Sequence, residues 1–560
     1  MSGTDAVVQR VRRQSLADLV HRSAARVPDK LAIGDGETRL TYAELDALVE
    51  GTAAALAAAG VAAGDRLALL SRNSWQFAVL NFATARAGVV LVPVNFMLGA
   101  GEIAFILDHS GARGFLAQEG YAAVAAAAVA ASSGGVEVRG ILPDAGGRSL
   151  AAAPPDGWAD ASAWFVPAQL PGGAMLSRPS DAGPSDANPS DAGRADSSPS
   201  DAGVGDDDPV RIMYTSGTEA RPKGVLLSSR SLMWQYVSCI VDGHMEPDDV
   251  DLHTLPLYHC AQLDCFLTPD VYLGATSLIL PAPDPAAILA TIARERVTKF
   301  FAPPTVWIGL LRHPHFDSTD LSSLRKGYYG ASPMPVEVLK EMQQRLPQVQ
   351  LWNFYGQTEM APLATILRPH EQLAHAGSAG RAGLNVETII VDDDGVEVPR
   401  GTIGEIVHRS PHATLGYYRD DDKTAAAFAG GWFHSGDLGY VDADGYLHVV
   451  DRKKDMIKTG GENVASREVE EAIYTLDGVA EVAVFGIPHP VWVESVTAVV
   501  VTKPGAVLTE EQVIAHARGA LAGFKAPKYV VFVDALPKNP SGKILKRDLR
   551  QQHAGLAAAD

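Results

Sequence analysis

At 560 residues the chain is longer than one hydrophobic core usually supports, so two or three compact units are expected. Lys and Arg total 47 against 66 Asp and Glu, a formal charge of -19 with no basic tail, so nucleic acid is not an expected partner. The three cysteines, Cys239, Cys260 and Cys265, make neither a C-x-x-C pair nor a disulfide framework; they read as core residues of a protein in a reducing compartment.

The amino terminus has no continuous apolar segment of the secretory kind, and no apolar run downstream is long enough to cross a bilayer. A soluble, cytoplasmic protein is expected, with a peripheral membrane contact and a homodimer both left open. Along the chain, "LTYAELDALV" sets Thr41 three residues before Glu44, the spacing of a capping box, and so starts a helix. The order "RLALLS", "WQFAVLNFATARAG", "VVLVPVN" then alternates a short apolar run, a helical pattern ending at Gly88 and a valine-rich run, which is a βαβ unit. Further apolar runs at "ATSLILP", "TKFFAPP" and "GYYGAS", with helical stretches between them, extend a layered α/β domain.

Between residues 172 and 208 the pattern vanishes. The tetrapeptide P-S-D-A recurs at Pro179, Pro184, Pro189 and Pro199 with hardly an apolar side chain, so a disordered insertion is expected there. A second change comes near residue 451. From 456 to 560 the order of helices and strands reads as a small α+β domain on a hinge at 451–455, with Thr509 and Gln512 forming another capping box.

Four stretches carry chemistry. "YTSGTEARPKG" follows an apolar run and offers Thr215, Ser216, Gly217, Thr218 and Lys223 as donors to a phosphate chain, or is a surface turn. It is not a Walker loop, because Lys223 precedes Gly224 and Pro222 stands where a helix would begin. "NFYGQTEM" groups Tyr355, Thr358 and Glu359 around Gly356, and Glu359 is a hard oxygen donor suited to Mg²⁺, or an ordinary exposed glutamate. "HSGDLGYVDADG" sets Asp437 between glycines, where a carboxylate could accept ribose hydroxyls, while "DADG" reads as a hairpin turn. In "LPKNPSGKILKRDL", Lys543 lies far along the chain from the other three, so it is either a solvated charge or a lysine that domain movement brings to a site.

In order and spacing, these four stretches resemble the adenylate-forming enzymes, which include acyl-CoA synthetases, luciferases and peptide-synthetase adenylation domains. The likeness runs from about residue 15 to 550 outside the insertion. "PLYHCAQLD", "KGYYGASPMP" and "RKKDMIKTGGENVASREVE" are most similar to bacterial fatty-acyl-CoA ligases. The resemblance implies a large multi-layer α/β amino-terminal domain, residues 1–450, plus a hinged α+β lid, residues 456–560.

It also implies an ATP-, Mg²⁺- and CoA-dependent conversion of a fatty acid to acyl-CoA, AMP and pyrophosphate. Residues 215–218 and Lys223 would bind phosphates, with Thr215 and Glu359 holding Mg²⁺. Adenine would lie against Gly330, Ala331, Ser332, Tyr355, Gly356 and Gln357, with Thr358 at the α phosphate and Asp437 and Arg452 on the ribose. Lys543 would be catalytic in adenylation, Lys454 the hinge, and Lys458, Gly460 and Gly461 the pantetheine access. Tyr258, His259, Gln262 and Tyr329 would line the acyl pocket, with His259 shaping it rather than acting as a base. At most one of Tyr328 and Tyr329 would face that pocket, since neighbours in a strand point to opposite sides. The loop departs from the family pattern at Ala220, where glycine is usual, and Glu219 adds negative charge near the phosphates. The alternatives are an acyl-AMP ligase or amide synthetase serving a carrier protein or an amine, and a non-catalytic adenylate- or acyl-binding protein.

Overall fold

The structure is a computed structural model that describes residue 8 and residues 11–168, 205–215, 222–332, 334–539 and 542–559. Most of the 172–208 insertion, and residues 216–221 of the candidate phosphate loop, therefore lie outside the described residues. The chain divides into two compact units that interleave in sequence. The first is Met1–Val237, Met245–Ala282 and Thr414–Arg419; the second is Ser238–His244, Pro283–Ala413 and Asp420–Asp560.

In the first unit, an eight-stranded sheet runs in the order Gly416–Tyr417, Lys223–Ser228, Pro209–Thr215, Val90–Val94, Arg66–Leu70, Gly114–Gln118, Val138–Leu142, Ala159–Asp160. The expected βαβ unit is its centre. Arg66–Leu70 and Val90–Val94 pair in parallel, and the helix between them, Trp75–Arg86, is buried along its whole length. Ser74 caps that helix by accepting the Phe77 N–H. Buried Ile103, Ile106, Phe115 and Ile141 fill one core of this unit. A second ladder joins Val250–His253, Thr276–Ile279, Leu31–Asp35 and Thr38–Thr41. The helix Tyr42–Ala58 starts at the expected box, with Thr41 and Glu44 capping each other reciprocally.

In the second unit, Lys299–Phe301, Lys326–Gly330 and Gln350–Gly356 pair in parallel, and Leu363–Leu367 and Arg381–Ala382 continue antiparallel. Four antiparallel strands follow, Glu387–Val391, Gly404–Arg409, Phe433–Val441 and Leu447–Arg452, the last two joined by the "DADG" hairpin. The carboxy-terminal segment then forms a module on a mostly antiparallel five-stranded sheet. Its long strands Val479–His489 and Val493–Thr502 alternate side chains between two cores, as a period of two requires. Val482, Val484, Ala498 and Val500 face one core, under the helices Ser466–Tyr474 and Glu510–Ala520. Ala483, Phe485, Ile487 and Val499 face the other, with Leu549 of the helix Lys546–His553. The capping box at Thr509 and Gln512 is formed. All three cysteines are buried thiols. Among the described residues no helix is long and apolar enough to cross a membrane.

Candidate active site

In the first unit, the strands flanking the candidate phosphate loop pair antiparallel with Thr215 opposite Lys223, so these two residues form the neck of the loop. Ser216, Gly217 and Thr218, with Glu219 and Ala220, lie outside the described residues. The Lys223 ammonium sits 5.3 Å from the centre of the Tyr417 ring, a cation–π contact.

The segment after Leu255 carries Tyr258 and His259. His259 caps a short helix by accepting the Ala261 N–H at Nδ1, 3.2 Å away. That bond places the proton of the neutral ring on Nε2, which makes this nitrogen a donor and a poor proton acceptor. Tyr258 packs edge-on against Phe96, 5.3 Å between ring centres. Gln262 is fully buried and engaged at both amide ends: its oxygen accepts the Leu255 N–H and its nitrogen lies 2.8 Å from His253 Nδ1. The structure thus gives Gln262 the work of holding the loop that carries Tyr258 and His259.

In the second unit, Lys326–Gly330 is buried throughout. The Tyr328 hydroxyl donates to the Gly243 carbonyl at 2.6 Å and Tyr329 to Gln372 at 2.7 Å, so both polar ends are spent on protein. Gly330 packs so tightly on the next strand that a Cβ would come within 2.3 Å of the Phe354 carbonyl oxygen. Ala331 follows with φ 63°, a left-handed conformation costly for a residue with a Cβ, and it is exposed. Backbone strain of this kind collects at ligand-holding loops.

Tyr355, Asp437 and Arg452 come together from three strands. The Tyr355 hydroxyl donates to Asp437 Oδ2 at 2.7 Å, and Arg452 Nε lies 3.2 Å from Asp437 Oδ1. Asp437 and Arg452 are register partners, so the hairpin itself sets the ion pair. The Asp437 N–H donates to Ser435, whose hydroxyl donates to the Ile406 carbonyl, which fixes the turn before the carboxylate. Burial, then the Asp437 charge, push the Tyr355 hydroxyl well above its ordinary pKa, so it stays a neutral donor. Next to it, Gly356 leaves room for the Pro362 carbonyl, which a Cβ would meet at 1.9 Å. Gln357 leads into the short turn Thr358–Met360, with Thr358 buried and Glu359 partly exposed.

Lys543 reaches this cluster from the carboxy-terminal module. Its loop is closed by the Gly542 and Lys543 N–H groups donating to Asn539, and it docks where the Thr305 hydroxyl meets the Gly542 carbonyl at 3.4 Å. Gly542 has φ 77°, and a Cβ there would approach Thr305 Oγ1 to 2.6 Å, so glycine is required twice over. Lys543 is exposed at the surface of its loop. Desolvation by the protein near its ammonium, then the Arg452 guanidinium, push it down to about 8, against the pull of Asp437. Asn539 and Thr305, which hold this lysine, carried no signal in the sequence.

Lys454 lies in an exposed turn just past Arg452, where the Asp455 N–H donates to the Arg452 carbonyl. Gly460 and Gly461 form the two-residue loop of a hairpin, with φ 59° and 87° and open space around each. The hairpin by itself calls for glycine at both places. Lys458, on the same hairpin, is exposed. Among the described residues, the one group of His and carboxylates close enough to share a cation is Asp251, His253 and Asp270, which does not include Glu359.

The family model described as "AMP-binding enzyme" matches residues 20–418, and "AMP-binding enzyme C-terminal domain" matches 468–543. The chain is 37% identical to a feruloyl-CoA synthase of an Amycolatopsis species, over 97% of this chain and all of that one (100%). It is 34% identical to the long-chain-fatty-acid–CoA ligase FadD13 of Mycobacterium tuberculosis, over 92% and 94% of the two chains. Among solved structures, ATP-bound MatB from Rhodopseudomonas palustris is similar at 30% identity with a TM-score of 0.80, over 97% of this chain and 100% of that one. With the family model spanning most of its length and these likenesses running end to end, the chain belongs to the AMP-binding enzyme family.

Proposed function

We propose that the protein joins a carboxylic acid to CoA in two steps within one site. In the first, a carboxylate oxygen bonds to the α phosphorus of ATP as the bond to pyrophosphate breaks. In the second, the CoA thiol, losing its proton to solvent, displaces AMP from the acyl carbon. The observation that carries this reading is the convergence of Lys543 on the Asp437–Arg452 ion pair next to Tyr355. A lysine ammonium set beside the Arg452 guanidinium and the Asp437 carboxylate suits the negative charge that builds between carboxylate and α phosphate.

In this reading Asp437 and Arg452 hold the ribose. Adenine rests between Tyr355 and the backbone of Gly330–Ser332, beside Gly356 and Gln357, and Thr358 meets the α phosphate. Thr215 and Lys223, at the loop's neck, face the outer phosphates with residues 216–218. Glu359, one carboxylate on a partly exposed turn, would hold Mg²⁺ together with Thr215. The ion would lower the charge repelling the incoming carboxylate. His259, with Tyr258 and Tyr329, shapes the acyl pocket, while the thiol's attack on a mixed anhydride needs no base. The carboxy-terminal module, residues 456–560, then turns about Lys454, withdrawing Lys543 and bringing Lys458, Gly460 and Gly461 toward the acyl-adenylate.

The acid is a fatty acid, a choice supported by the "PLYHCAQLD" and "KGYYGAS" likeness and by the FadD13 relative. The test is acid-dependent pyrophosphate release across C6 to C20 fatty acids together with ferulate, the latter because of the feruloyl-CoA synthase relative. Release with fatty acids exceeding that with ferulate is expected. A preference for ferulate would move the substrate class to aryl acids.

The pH dependence of adenylation follows from Lys543. The acting form is the ammonium, and it is lost as pH rises through about 8. For adenylation alone, kcat/KM for ATP, which reports the free enzyme, should be flat near neutrality and fall above pH 8 with a single ionisation. In Lys543→Arg that alkaline limb should vanish, because a guanidinium stays charged across the range. An unchanged limb in this variant would assign the ionisation elsewhere.

A further inference from the structure

Arg467, on the first turn of the helix Ser466–Tyr474, crosses the hinge region. Its Nη1 donates to the Val449 carbonyl at 2.7 Å and its Nη2 to the Gly377 carbonyl at 3.2 Å, both from chain that precedes Lys454. Glu471, one turn on, holds Nε at 3.1 Å and so aims the fork. The side chain is 17% exposed, with both carbonyls reached from one guanidinium. The Arg467 charge also opposes the rise that burial imposes on the Tyr329 hydroxyl. Beside it, the Ser466 N–H donates to Asp451 Oδ2 at 2.6 Å, and Lys546 ties Ser466 to the module at 2.7 Å.

We propose that Arg467 is a positioning residue: its forked contact with the Val449 and Gly377 carbonyls latches the carboxy-terminal module in the arrangement that keeps Lys543 beside Asp437 and Arg452. The inference rests on the two-step reading above. A module that turns about Lys454 must give up both bonds, so Arg467 favours the first step and resists the second. Charge-assisted bonds to carbonyls are among the stronger single contacts, and they matter here only through the difference between two arrangements. Neither carbonyl belongs to a side chain, so the arginine is the only member open to substitution.

The test compares wild type, Arg467→Ala and Arg467→Lys in three assays. These are acid-dependent ATP–pyrophosphate exchange, thioester formation from CoA and chemically prepared acyl-adenylate, and tryptic cleavage at the exposed Lys453–Lys454 pair in the ligand-free protein. Arg467→Ala should lose about tenfold in exchange, keep or gain rate in thioester formation, and be cut faster at the hinge. Arg467→Lys, which keeps the charge without the fork, should lie between and stands in if the alanine variant fails to fold. Equal losses in both half-reactions, or unchanged exchange with unchanged cleavage, would overturn the latch. Wild type active in neither half-reaction would instead overturn the proposed function, leaving the cleavage comparison to judge Arg467.

Discussion

Lys543→Ala should slow acid-dependent ATP–pyrophosphate exchange by about 10²–10³-fold, the usual scale for removing one preorganised charge from a developing transition state. ATP affinity should change by no more than about threefold, because the lysine's work is confined to the transition state. Thioester formation from prepared acyl-adenylate should survive, since the proposed turn of the carboxy-terminal module would withdraw Lys543 before the thiol arrives. The geometry makes this selective. The lysine loop folds on Asn539 and docks at Thr305, apart from the Tyr355–Asp437–Arg452 cluster that would hold the nucleoside. Equal losses in both half-reactions would count against a role restricted to adenylation.

Asp437→Ala should act on the nucleotide instead. The carboxylate accepts from Tyr355 and pairs with Arg452, so its removal strands a buried hydroxyl as well as the ribose. Losing such bonds costs about 1–3 kcal/mol each when a partner is left unsatisfied. Arg452 is 42% exposed, so solvent covers much of its share, and the expected fall in kcat/KM for ATP is about 10²-fold. Most of it should appear as a higher KM. Asp437→Asn, which keeps an acceptor, should lose less. A large fall in kcat at unchanged KM would remove Asp437 from ribose binding. Calorimetric titration with AMP separates the two outcomes.

What could be read from the sequence was local. The capping boxes at Thr41 and Thr509 span three residues, and the βαβ unit around Trp75–Arg86 is written in consecutive apolar periods, so both are found where the pattern sets them. Asp437 was marked by its place between glycines and Arg452 by resemblance, and a hairpin register makes them partners. Gln262 was named for the acyl pocket by resemblance alone, and its bonds to Leu255 and His253 come from a turn back of the chain that the sequence does not display. The pair Gly460–Gly461 could have been read as a two-residue hairpin loop from its own composition. Thr305 and Arg467 had no such signal. A threonine after two prolines and an arginine at a helix start look like surface, and only contacts between distant segments give them partners.

In the proposed reaction one site forms an acyl-adenylate and then spends it on CoA. Mass spectrometry of the products from protein, ATP, Mg²⁺ and an accepted acid, with and without CoA, reads both steps. Acyl-adenylate and pyrophosphate without CoA, replaced by acyl-CoA and AMP in equal amounts with it, is the expected result. Acyl-adenylate that persists in the presence of CoA, or ADP in place of AMP, would contradict it.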